Sequence, residues 1–103
     1  MTGNIDLPRD EVAAFCKRWQ VVELALFGSV LREDFGPGSD IDVLAEFDPG
    51  ARHTLLDLAR MQDELSTAFG RSVDLVERSA VEASRNYLRR KAILESAETI
   101  YAK

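Results

Sequence analysis

Cysteine and histidine are almost missing from this chain of 103 residues: there is one Cys, at position 16, and one His, at position 53. An intramolecular disulfide is therefore excluded, and a zinc site built from Cys and His lacks its ligands. A metal, if one is used, must be held by oxygen. Glycine and proline are also scarce, at 6 and 3 residues, beside 46% apolar and 30% charged residues. Such a composition is neither disordered nor fibrous, and the length suits one domain over residues 1–103 with one hydrophobic core. No stretch approaches the ~20 apolar residues of a membrane span, and positions 1–10 lack a basic start followed by an apolar run. The expectation is a soluble, cytoplasmic protein without membrane contact. An excess of positive charge is missing as well, since 13 Lys and Arg face 18 Asp and Glu for a net charge of -5. That balance works against a broad grip on phosphate backbones, so stable nucleic-acid binding is not expected.

The chain has no internal repeat, low-complexity tract or dividing linker. Residues 8–19 set Val12, Phe15, Cys16 and Trp19 on one side of a helix with Pro8 in its first turn. Residues 21–27 form an apolar run broken only by Glu23, as in a buried strand, which stops at Gly28-Ser29. After a short segment over 30–34, residues 35–39 (Phe-Gly-Pro-Gly-Ser) are turn chemistry. A second strand is expected over 40–47. A helix over 54–69 carries Leu58, Met61, Leu65 and Phe69 at helical spacing, with Gly70 as its C-cap. Residues 73–76 read as a short third strand. Ser79-Ala80-Val81-Glu82 matches a capping box opening a helix to about Leu94. The tail 99–102 fits either an edge strand or the frayed end of that helix. The expected fold class is α+β, an α/β sandwich in which helices cover a small mixed β-sheet.

Between Glu33 and Asp48 stand six acidic side chains and no basic one. On a strand, Asp40 and Asp42 point one way, while Ile41, Val43, Ala45 and Phe47 point to the helix-covered face. Their Cα atoms would lie roughly 6 to 7 Å apart, from which both carboxylates can reach one ion or bracket two. A hard cation such as Mg²⁺ cancels their repulsion and brings phosphate oxygens to complete its shell, which points to a nucleotide. Asp74, in the middle of the short apolar strand 73–76, is the natural third carboxylate. Gly28-Ser29 lies where a strand turns into a helix, so free first-turn amides and the helix dipole favour a phosphate there. Gly28 lets the backbone approach, the Ser29 hydroxyl can donate, and Arg32 can reach round to the leaving diphosphate.

Gly28-Ser29, then ten residues, then Asp40-Ile41-Asp42 resembles the signature of the DNA polymerase β-like nucleotidyltransferases. The length, with Leu26-Phe27-Gly28-Ser29-Val30-Leu31-Arg32 and Ser39-Asp40-Ile41-Asp42-Val43-Leu44, is similar to the minimal nucleotidyltransferase (MNT) group. One departure is Glu33, where the family usually has Gly after the arginine. The resemblance implies the polymerase β-like nucleotidyltransferase fold. It implies two Mg²⁺ ions on Asp40, Asp42 and Asp74, nucleotide binding by Gly28, Ser29, Arg32 and Ser39, and transfer of a nucleoside monophosphate from ATP to a hydroxyl. It further implies a HEPN-type toxin as partner, neutralised by AMP transfer to a tyrosine, so that this chain would be the antitoxin of a toxin-antitoxin pair.

Plainer readings stand beside these. Asp40 and Asp42 could be a solvated strand end, but Gly28-Ser29 at the expected separation favours the metal reading. Asp74 could be a simple edge-strand charge, Arg32 a surface arginine, and the basic run Arg78 to Lys91 a solvated helix face or a meeting point for an acidic partner. His53 reads as a loop residue and Trp19 as core or interface rather than a base-stacking platform. The length leaves no room for a nucleic-acid-holding domain, so the acceptor should come from outside the chain. The alternatives are an antitoxin that masks its partner without chemistry, and an adenylyltransferase acting on an antibiotic or other small molecule. A homo-oligomer stays open.

Overall fold

The computed structural model describes residues 7–28 and 40–103. Its elements run α1 (Arg9–Trp19), β1 (Val21–Phe27), β2 (Ile41–Phe47), α2 (Leu55–Phe69), β3 (Val73–Glu77), α3 (Arg78–Glu82), α4 (Tyr87–Ser96) and β4 (Glu98–Ala102). The four strands form one sheet in the order β3-β2-β1-β4, parallel between β2 and β3 and antiparallel elsewhere. This is the expected mixed α+β sandwich.

Alternation along the strands divides the core. On one face Leu24, Leu26, Ile41, Val43, Ala45 and Val73 pack with Val12, Phe15 and Cys16 of α1 and Met61 and Leu65 of α2. On the other, Ala25, Phe27 and Leu44 meet Val81 of α3, with Ile93, Leu94 and Ala97 half-buried beside them. The first layer is thick, while the second is thin enough that α4 has no fully buried residue.

α2 is the crossover that a parallel β2–β3 pair requires. Its N-terminus is a capping box: the Thr54 hydroxyl accepts from the Asp57 amide at 3.1 Å, and the Asp57 carboxylate accepts from the Thr54 amide at 3.0 Å. Gly70 ends it in the left-handed conformation, φ 70°. α2 also finishes the exposed edge of β3, because the Leu75 amide donates to Gln62 Oε1 at 2.9 Å and the Val73 amide to Ser66 Oγ at 3.0 Å. Edge amides that would otherwise recruit another strand are thereby satisfied.

Three sequence expectations need correction. Ser79 opens no capping box: it lies inside α3, whose N-cap position is Glu77 and has no side-chain cap. The expected helix to about Leu94 is broken between Glu82 and Tyr87, because Ser84 and Asn86 offer the backbone other partners. Ser84 Oγ accepts from the Asn86 amide, Asn86 Oδ1 from the Arg89 amide, and the Ser84 carbonyl from the Arg90 guanidinium. The second strand begins at Ile41, which leaves Asp40 just outside it. The tail is resolved as β4, an edge strand paired with β1. His53 does lie in the loop before α2, but it is structural: its Nε2 is 2.9 Å from the Trp19 carbonyl and its ring packs on Phe47 and Trp19. The half-buried Trp19 packs against the core and donates from Nε1 to Glu64.

Burial pushes the Cys16 thiol up to about 12, so it carries no thiolate at neutral pH. A thiol reagent at about pH 8 should leave the native protein unmodified and label Cys16 only as the protein unfolds. The Asp57 carboxyl is held below its ordinary value, first by the Thr54 amide. Its contribution to the cap is therefore complete above the ordinary carboxylate range and is lost as pH falls through the lowered value. Thr54→Ala should cost about 1 kcal/mol at neutral pH, read as a lower urea midpoint.

Candidate active site

The edge of the sheet where β1 ends and β2 and β3 begin gathers the acidic residues. In the parallel register Asp42 pairs with Asp74, and in the antiparallel register it pairs with Phe27. Adjacent strands lie about 4.8 Å apart, so two carboxylates project side by side from one sheet face. It is the face away from the α1–α2 layer, because the neighbouring Ile41, Val43 and Val73 all point into that layer. Asp42 is half-buried, whereas Asp40 and Asp74 are exposed.

Gly28 follows β1 directly, with φ 76°, in the left-handed region that favours glycine. A Cβ there would overlap Asp42 Oδ2. The residue identity thus serves the carboxylate as well as the backbone: with no Cβ at this position, the Asp42 carboxylate lies against the strand end. The sequence assigned Gly28 to phosphate approach alone, since its closeness to Asp42 follows from strand pairing and no local pattern carries it.

Ser29, Arg32 and Ser39 lie outside the described residues, as do the 30–34 segment and the 35–39 turn. Among the described residues, no three Asp, Glu, His or Cys side chains are gathered closely enough to hold a metal ion as a set. The arrangement brings Asp42 and Asp74 together and sets Asp40 two positions upstream of Asp42, without drawing all three to one point. The donors are all carboxylate oxygens, the chemistry that hard divalent cations prefer, and the Gly28 cradle keeps Asp42 clear of a Cβ.

A family model described as "Nucleotidyltransferase domain" matches residues 11–99. The chain belongs to this nucleotidyltransferase family. It is 32% identical over 78 residues to "Putative protein adenylyltransferase MJ0435" of Methanocaldococcus jannaschii, a match covering 76% of this chain and 82% of that protein. Among solved structures, it is 35% identical to one described as a "putative minimal nucleotidyltransferase", with a TM-score of 0.66 over 86% of this chain and 85% of that one. A toxin-antitoxin crystal structure with AMP-PNP superposes with a TM-score of 0.70 at 16% identity, over 94% of this chain and 75% of that one. A tri-AMPylated Shewanella oneidensis HEPN toxin in complex with MNT antitoxin gives 0.62 at 15% identity, over 93% and 71%. At these lower identities the likeness is one of fold. This nucleotidyltransferase is an enzyme of that class, and among the described residues no helix is long and apolar enough to cross a membrane.

Gly28→Ala should destabilise the nucleotidyltransferase by about 1–2 kcal/mol from backbone conformation alone, and by more because Asp42 must move. Urea midpoints of Gly28→Ala, Asp42→Ala and the double variant check this: removing the Asp42 carboxylate should recover part of the loss, giving a non-additive cycle.

Proposed function

We propose that this nucleotidyltransferase transfers AMP from ATP to a hydroxyl, a tyrosine, of a HEPN-type toxin, and so acts as the antitoxin of a toxin-antitoxin pair. The observation that carries the reading is the register pairing of Asp42 with Asp74 beside Gly28. The protein acceptor is supported by the name of the Methanocaldococcus jannaschii relative, and the HEPN partner by the complexes that share the fold.

Asp40, Asp42 and Asp74 would hold two Mg²⁺ ions. When bound, Mg²⁺ neutralises the triphosphate and acidifies the acceptor hydroxyl. Asp42, half-buried and backed by Gly28, is the anchored carboxylate, whereas Asp74 is exposed on β3 and open to an incoming protein. Gly28, Ser29, Arg32 and Ser39 would bind the triphosphate. The acceptor oxygen forms a bond to the α-phosphorus, the bond from that phosphorus to the β-phosphate bridging oxygen breaks, and pyrophosphate leaves. Asp74 orients the acceptor hydroxyl and takes its proton.

The test incubates the protein with Mg²⁺, ATP labelled at the α-phosphate and the protein encoded by the adjacent gene. Label should appear on the partner, and Asp42→Asn should lower kcat/KM by at least about a hundredfold. Transfer that survives Asp40→Asn with Asp42→Asn overturns the assignment. Full protection of cells by that double variant would identify an antitoxin that works by masking.

A further inference from the structure

The second layer of the fold carries a surface that the chemistry leaves unused. Residues 83–94 contain Arg85, Arg89, Arg90 and Lys91 and no acid, in a chain whose net charge is -5. Among the described residues Arg85, Arg89 and Lys91 form no ion pair, whereas Arg78 alone engages Glu23, Glu46 and Glu82. Arg90 is spent internally, donating to the Ser84 carbonyl and lying 5.5 Å over the Tyr87 ring. Cations in the first turn of α4 also work against the helix dipole, so the local fold does not call for them.

Apolar groups stand among these charges. Leu88 is 76% and Tyr87 57% exposed, and both sit on α4, which buries no residue completely. Between α3, α4 and β3 lies a cavity of about 190 Å³ floored by Val76, Val81 and Ile93 and edged by Ser84, Arg89 and Arg90. Aliphatic side chains exposed beside unpaired guanidinium and ammonium groups match a partner that offers carboxylates around an apolar anchor. The apolar floor of the cavity is aliphatic, Val76, Val81 and Ile93, which suits an aliphatic side chain better than the flat face of a base.

Resting on the protein acceptor proposed above, we infer that the start of α4 docks an acidic segment of that acceptor, with an apolar side chain of the segment entering the Val76–Val81–Ile93 cavity. α4 runs toward the site: Ala97 packs against the cluster that includes Phe27, Glu98 pairs with Leu26, and Asp42 pairs with Phe27. The helix spans about 15 Å and covers the same sheet face that bears Asp42 and Asp74. A docked segment therefore aligns its protein with the carboxylates and stays clear of them.

The experiment measures binding and transfer separately, using the protein encoded by the adjacent gene as probe. Leu88→Ser with Arg89→Glu, and Lys91→Glu alone, alter exposed side chains and should keep the wild-type urea midpoint. The double variant should weaken partner binding by calorimetry about tenfold or more, and Lys91→Glu by a smaller factor that shrinks as salt is raised. The KM for the protein acceptor should rise accordingly, while affinity for ATP in the absence of partner stays unchanged. Patch-dependent binding without AMP transfer would sink the transfer reading and leave the docking surface standing. Unchanged partner affinity in both variants overturns the docking surface whether or not transfer occurs. It is equally overturned if the double variant loses only retention of a labelled single-stranded RNA, or only self-association of the chain.

Discussion

Everything at the candidate site depends on the parallel pairing of β3 with β2. Two carboxylates on neighbouring strands repel, and nothing local in the short segment that holds Asp74 would bring it beside Asp42. The pairing is imposed from the opposite face, where Ile41, Val43 and Val73 are buried against α1 and α2. At about 25 cal/mol per Å² of apolar surface removed from water, burial of several such side chains outweighs a charge repulsion that solvent screens at the exposed edge. The hydrophobic layer holds the acids at the separation their charge resists.

α2 is the device that enforces this. Its capping box and glycine terminus define a fifteen-residue helix between the two parallel strands. Met61 and Leu65 anchor it in the core, and Gln62 and Ser66 on its flank accept the outward amides of β3. Helix and strand are thus fixed by hydrogen bonds as well as by packing, and the strand cannot slip by one residue without exposing Val73 and turning Asp74 inward. Gly28 completes the corner from the other side, because the β1 register brings the end of that strand against Asp42.

The two faces of the sheet have different tasks. One is closed by α1 and α2 and supplies stability. Among the described residues the other is covered only in part, by α3 and α4, and Asp42 and Asp74 project from it. α4 packs through Ile93, Leu94 and Ala97 and leaves Tyr87, Leu88, Arg89 and Lys91 exposed.

Much of this was legible in the residues themselves. Alternation separated Ile41, Val43 and Ala45 from Asp42, helical spacing marked α1 and α2, Gly70 marked the end of α2, and the spacing from Gly28-Ser29 to Asp40 and Asp42 carried the family. Those features are local, so a short window of sequence contains all the physics they need. The break between α3 and α4 was hidden because the same stretch satisfies helix periodicity, and the hydrogen bonds of Ser84, Asn86 and Arg90 that interrupt it appear only once the turn is made. The tail could not choose between helix and strand until β1 offered it an open edge. Only the tertiary structure decided that Asp74 stands beside Asp42 and that the same carboxylate lies against Gly28. Strand order and register are settled by how distant apolar surfaces pack, and no single segment encodes them.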